Sequence, residues 1–267
     1  MQTENLTFYH GTGRAAADAI LHSGAQDRWL KEIGAFDLGR AILTALRNHA
    51  GIAGPHEDMK LCFAFNGLPG SEYSSLWKPA LSELDGGGPS HFQYGHFFAT
   101  LNIGNAYRYA LNPYRSEFIR AIAESIRLLR HLGDPLPEVL SDKYPKISHA
   151  IENPSPPVVL ELQGIPVERL LTAKGSRDIQ NELEIWSDMQ RYPGMSAPVD
   201  FRIQDVVPGD IVAIHDLRDW TPADIGDGVW RPNKTKIEAA RQPITVKRNP
   251  PLHLTPTSTS SPPTKPR

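Results

Sequence analysis

Three sets of residues in this chain have the types and spacing to do chemistry. The first is His10, which closes the aromatic run Leu6-Thr7-Phe8-Tyr9 and is followed by Gly11-Thr12-Gly13. An imidazole beside bare backbone amides suits a ligand with ribose hydroxyls or a carboxamide. Taken alone, a His-Gly turn is more often structural. The second set is aromatic: Tyr94, Phe97 and Phe98 in Tyr94-Gly95-His96-Phe97-Phe98-Ala99-Thr100, with Tyr107 and Tyr109 just beyond. Aromatic rings at a strand end can wall a planar ligand, although an aromatic pair in a strand is usually core packing. The third set is acidic. Glu182 and Glu184 in Asp178-Ile179-Gln180-Asn181-Glu182-Leu183-Glu184-Ile185-Trp186 alternate with apolar residues. Read as a strand, this run puts both carboxylates on one face about 7 Å apart. A solvated edge strand would look the same.

The elements that would position these groups follow from local pattern. The first motif predicts a strand, a tight polar turn at His10–Gly13, then an Ala-rich helix over Arg14–Ser23 stopped by Gly24. Apolar residues at helical spacing predict helices over 37–50 and 102–110. Ser116–Leu132 carries the strongest such signal, with Phe118, Ile119, Ile122, Ile126 and Leu129 in one stripe. Strands are expected at Lys60–Phe65, Tyr94–Thr100, Pro157–Leu162, Asp178–Asp188, Val199–Ile203 and Ile211–His215. The stretch Asn66–Ser90, rich in Gly, Ser and Pro, reads as a long loop. Its Gly86-Gly87-Gly88 lacks the spacing of a phosphate-binding motif.

Composition sets the outer bounds. A chain of 267 residues with 40% hydrophobic and 22% charged residues has the material for one large domain with a real core. A single cysteine, Cys62, excludes an internal disulfide and any thiolate-rich zinc site, and is expected to be buried and structural. No apolar run approaches membrane-spanning length, and the amino terminus lacks the features of a secretory signal. The expected location is the cytoplasm, or a target-cell cytosol for an injected effector. Net charge is −2, but residues 231–267 hold eight Lys/Arg against one Glu, leaving residues 1–230 at −9. That carboxy-terminal stretch is also rich in Pro, Ser and Thr and reads as a disordered tail.

The order of the three motifs resembles the ADP-ribosyltransferase superfamily, in the His–Tyr–Glu branch that includes poly(ADP-ribose) polymerases and diphtheria-type toxins. Tyr9-His10-Gly11-Thr12 with the following helix and Gly24 is similar to the first motif. Gly95-His96-Phe97-Phe98-Ala99 is similar to the second, with Phe97 in place of the tyrosine. Asn181-Glu182-Leu183-Glu184-Ile185-Trp186 is similar to the third. The resemblance covers roughly residues 6–215.

What it implies is an α+β fold, a split antiparallel β-sandwich of two small sheets with an NAD cleft between them. Residues 1–230 would form that domain, and residues 111–155 a helical insertion acting as lid or target reader. NAD would be a substrate, with no metal required. Glu182 would stabilise the oxocarbenium-like ribose and bind its 2′-hydroxyl. His10 would bind the adenosine-side ribose, with Thr12 beside it, and the Gly11 backbone would take the carboxamide. Phe97 would stack on the nicotinamide, helped by Phe98, Tyr107 or Tyr109, and Tyr94 could take its place in a shifted register. Glu182-Leu183-Glu184 also fits the Glu-x-Glu pattern of arginine-directed transferases, which makes Glu184 the alternative catalytic residue. That branch, however, has Arg in its first strand.

The implied activity is mono-ADP-ribosylation of a macromolecular acceptor, protein or nucleic acid, by a toxin or effector. An inhibitor or antitoxin protein would be a further partner, and no membrane is involved. The alternatives are an NAD glycohydrolase and an inactive module that binds NAD, ADP-ribose or a protein.

Overall fold

The computed structural model describes residues 5–24, 26–53, 59–71, 97–173, 175–191, 199–225 and 234–244. The chain is α+β. Seven strands form one antiparallel sheet: β1 (Phe8–Gly13), β2 (Phe97–Thr100), β3 (Pro157–Leu162), β4 (Leu170–Thr172), β5 (Asp200–Ile203), β6 (Ile211–Asp216) and β7 (Arg241–Pro243). Their order across the sheet is β4-β5-β2-β1-β3-β6-β7. Two separate sheets were expected; the described strands make one. That sheet nevertheless has a weak seam. β1 runs in register with β3 from Phe8↔Leu162 to Gly13↔Pro157, and β2 pairs with β5 over its whole length. Between β1 and β2 a single pair is in register, Tyr9↔Thr100.

Alternation along β1 separates two faces. Phe8 lies in the main core with Leu160 and Phe201. That core is closed by Ile20 of helix α1 (Arg14–Ser23) and by Ile179, just before helix α9 (Gln180–Arg191), with Leu183 and Met189 on that helix. Tyr9 and Gly11 face the other way, toward helix α5 (Ile103–Ala110), where Tyr107, Val159 and Trp220 form a smaller cluster. Helix α5 lies so close to β1 that a Cβ on Gly11 would fall 1.9 Å from the Ala106 carbonyl oxygen.

A second layer is wholly helical. It joins α2 (Gln26–Glu32), α3 (Ala35–Ala50) and α4 (Met59–Ala64) with α6 (Glu117–His131), α7 (Leu140–Lys143) and α8 (Pro145–Glu152). Leu38, Ile42 and Leu46 of α3 meet Phe118, Ile122 and Leu129 of α6 in its core. Ser116 caps α6 by accepting from the Ile119 amide at 3.4 Å, and Arg130 and His131 sit in its last turn. Residues 111–155 are thus half of a layer whose other half comes from before β2, rather than a free-standing insertion.

Five further expectations change. Lys60–Phe65 is not a strand: α4 takes it as far as Ala64, with Leu61 and, in the turn that follows, Phe65 buried and Phe63 82% exposed. Its alternation also satisfies an i, i+4 pair, and packing on the helical layer selects the helix. Cys62 there is half-buried. Asp178–Asp188 is likewise helical, because Ile179, Leu183 and Trp186 fall at i, i+4, i+7 and seat α9 on the main core. His10–Gly13 is not a turn, since β1 continues through it against β3. Residues 234–244 are not a tail: helix α10 (Lys234–Ala240) and β7 complete the sheet edge on β6. No described helix is long and apolar enough to cross a membrane.

Candidate functional site at the β1–β2 seam

His10 sits in mid-strand, 7% exposed, where β2 draws away from β1. Its Nδ1 donates to the Phe98 carbonyl oxygen at 2.6 Å. A carbonyl only accepts, so the proton is on Nδ1 and Nε2 is left as an acceptor. That Nε2 is buried and has no partner among the described residues. Burial lowers the imidazole pKa to about 4, against a smaller opposing effect of the Phe98 bond, so the ring is neutral at pH 7. Phe97 stacks on it with ring centroids 4.3 Å apart and a 35° tilt. Two residues on, and on the same face of β1, the fully buried Thr12 has a hydroxyl that is also without a partner. Buried polar atoms are nearly always paired, so two orphans on one strand face mark a place where a bound water or a ligand would supply the partners.

The other expected residues divide. Gly11 is explained by helix packing, because a side chain there would strike α5. Phe98 presents its carbonyl to His10, and its ring lies 5.4 Å from the Arg202 guanidinium carbon. Arg202 is buried on β5 and donates from Nε to the Ala173 carbonyl at 2.8 Å. Tyr94 lies outside the described residues. Tyr107 is not at the seam in any stacking role. It is fully buried on the opposite face, edge-on to Trp220 at 4.8 Å, with its hydroxyl 2.9 Å from His215 Nδ1. Tyr109 is 46% exposed at the end of α5.

Glu182 and Glu184 do not share a face, because two helical residues apart is about 200° of rotation. Glu182 is half-buried in the first turn of α9, the helix whose Leu183 shares a core with Phe97. Glu184 is exposed, and its Oε1 accepts from Gln180 Nε2 at 2.9 Å. Of the two, Glu182 is the one on the inner side of the helix. Among the described residues no group of His, Cys, Asp and Glu is arranged to hold a metal ion.

One charged network had no counterpart in the sequence reading. Glu161, 5% exposed on β3, accepts from His215 Nε2 at 3.0 Å and from Arg241 Nε and Nη2 at 2.7 and 3.0 Å. Gln163 Nε2 adds a bond of 3.2 Å. Burial alone would raise the Glu161 pKa. The bonds from His215 and Arg241 outweigh it and hold it at about 2. Burial and the Glu161 charge together push Tyr9 up to about 12. A lone Glu in Val158-Val159-Leu160-Glu161-Leu162 was the available signal: a carboxylate in a buried strand needs a partner.

In comparisons with family models, with curated proteins and with solved structures, none matches this chain.

Proposed function

We propose that the protein binds NAD at the β1–β2 seam and transfers its ADP-ribose to a macromolecular acceptor. The observation that carries this reading is the buried, neutral His10, with an unpaired Nε2 acceptor, stacked on Phe97 and followed on the same strand face by the unpaired Thr12 hydroxyl. A ribose supplies the hydroxyl donors this row lacks, and a flat base suits the Phe97 ring. In the reaction the C1′–N bond to nicotinamide breaks and its electron pair leaves with the nicotinamide. The acceptor then bonds to C1′ and releases a proton. Glu182, from α9, is the carboxylate proposed to stabilise the developing positive charge.

Nicotinamide release from NAD, measured with His10→Ala, Glu182→Gln and Glu184→Gln, tests this reading. Wild type is expected to release nicotinamide and to label protein or nucleic acid in a lysate. Glu182→Gln should lower the rate by about 100-fold or more, and Glu184→Gln by no more than a few-fold. Loss confined to Glu184→Gln would reverse the two carboxylates. A second reading is favoured by the placement of Glu182 on a helix and by the missing hydroxyl at Phe97: a module that binds NAD or ADP-ribose without cleaving it. It predicts binding that depends on His10 and no nicotinamide release. Failure to bind NAD at all rejects both.

A further inference from the structure

We infer that Arg115 forms a binding site for a phosphate-bearing anion at the carboxy-terminal end of β1. Arg115 closes the turn Asn112–Arg115, its amide donating to the Asn112 carbonyl at 2.9 Å. Its backbone has φ +58°, one of two positive values at non-glycine residues among the described chain. A side chain in the left-handed region is sterically costly, and such strain is concentrated where a side chain is needed in one place. The stem of Arg115 lies directly on β1: a Cβ built on Gly13 would fall 3.0 Å from Arg115 Cβ and 3.4 Å from its Cγ.

Among the described residues the guanidinium has one partner, the Asn112 carbonyl, reached by Nη1 at 2.6 Å. Its Nε is buried and makes no hydrogen bond, and no carboxylate among the described residues pairs with it. Arg14, also at the end of β1, is by contrast bonded to Asp18 at 2.9 Å. A guanidinium held half-buried against the protein, with an unused donor and no counter-ion, is complementary to an anion. Burial lowers its pKa, as expected for a cation lacking its partner.

Among the described residues, three buried side-chain atoms lack a partner: His10 Nε2, Thr12 Oγ1 and Arg115 Nε. Two belong to β1 and the third rests on its last residue. His10 and Thr12 share one face of β1, whereas Gly13, on which the Arg115 stem rests, points to the other, so the cation lies at the carboxy-terminal end of the strand, beside rather than in line with the two orphan atoms. The anion site stands on Arg115 itself. Its assignment to the diphosphate of a nucleotide rests on the NAD reading above.

Titration calorimetry of the full chain with inorganic pyrophosphate, with NAD and with adenosine separates the two. Arg115→Gln keeps a polar side chain and removes the charge. Arg115→Gly removes the side chain and the positive-φ penalty together, so its Tm should be no lower than wild type by more than a few degrees, and it serves if the Gln variant unfolds. Both variants should weaken pyrophosphate binding by about tenfold or more, the loss of one charge-assisted hydrogen bond, with adenosine binding unchanged. Unchanged pyrophosphate affinity in the folded variants, or no pyrophosphate binding by wild type, overturns the anion site. Arg115-dependent pyrophosphate binding without NAD binding would leave the anion site standing and the NAD reading rejected. NAD binding that ignores both substitutions, beside pyrophosphate binding that needs Arg115, would leave both standing and overturn the assignment of the anion site to the NAD diphosphate.

Discussion

An imidazole removed from water and tied at Nδ1 to the Phe98 carbonyl has a single atom left to offer, the Nε2 lone pair. This makes a definite pH signature. The His10 pKa is lowered to about 4 in the fold, below its ordinary 6.5. The stability tied to its neutral form is therefore fully present above about pH 6.5 and is lost as pH falls toward 4. Ligand binding follows the folded value, because protonation turns Nε2 from acceptor to donor. NAD affinity, measured by fluorescence or calorimetry, is expected to stay flat from pH 8 to about 5 and to drop on approach to 4. A loss centred between pH 6 and 7 would show a solvated histidine and contradict the site. At this scale the sequence was readable where residue type is decisive. His10 and Thr12 are distinctive by chemistry alone. The role of Gly11 was not, since its cause is a helix that arrives from residues 103–110.

Helix α5 rests on β1 because nothing projects from that strand at Gly11, and a Cβ there would meet the Ala106 carbonyl oxygen at 1.9 Å and the Ala110 amide nitrogen at 2.8 Å. Backbone cannot yield as a side-chain tip can. Gly11→Ala is therefore expected to destabilise the protein by about 3 kcal/mol or more through overpacking, read as a lowered urea midpoint with an unchanged m-value. A midpoint within 0.5 kcal/mol of wild type, on the same rough scale, would mean that α5 moves freely on the sheet. Elements with one clear period were legible from sequence. Helix α6 has a stripe that no strand could match, and Pro157–Leu162 is a buried run of β-branched and aliphatic residues between prolines. Residues 60–65 and 178–188 satisfy both periods in a short window, and the neighbour they pack against decides between them. For 178–188 that decision also separated Glu182 from Glu184, so the acidic pair was misread as a consequence of the element.

At the scale of the whole molecule, the carboxy-terminal segment is fastened by charge to the middle of the sheet. Arg241 of β7 holds Glu161 of β3 across β6, and Lys236 of α10 pairs with Asp224 at 2.5 Å while lying over the Trp220 ring. Composition suggested a tail from residue 231 because the stretch is basic and rich in Pro, Ser and Thr; the partner that fastens Arg241 is 80 residues away in sequence and leaves no mark on local composition. The Glu161 pKa is held at about 2, below its ordinary 4.5. Its stabilising contribution is therefore present above about pH 4.5 and disappears as pH falls toward 2, and by linkage is on the order of 3 kcal/mol. Glu161→Gln should lower unfolding free energy by roughly that amount at pH 7 and flatten the fall in stability between pH 4.5 and 2. Equal acid sensitivity in the variant would place the linkage elsewhere.

The seam has a mechanical meaning as well. With one register pair between β1 and β2 and full pairing on either side, the sheet behaves as two plates meeting along a compliant line. The Phe98 carbonyl, which an unbroken ladder would give to a backbone amide, is held by the imidazole of His10. One side chain therefore stands where a rung of the ladder would be. A residue without that donor would leave the carbonyl to a β1 amide, and the two halves of the sheet would join in one ladder.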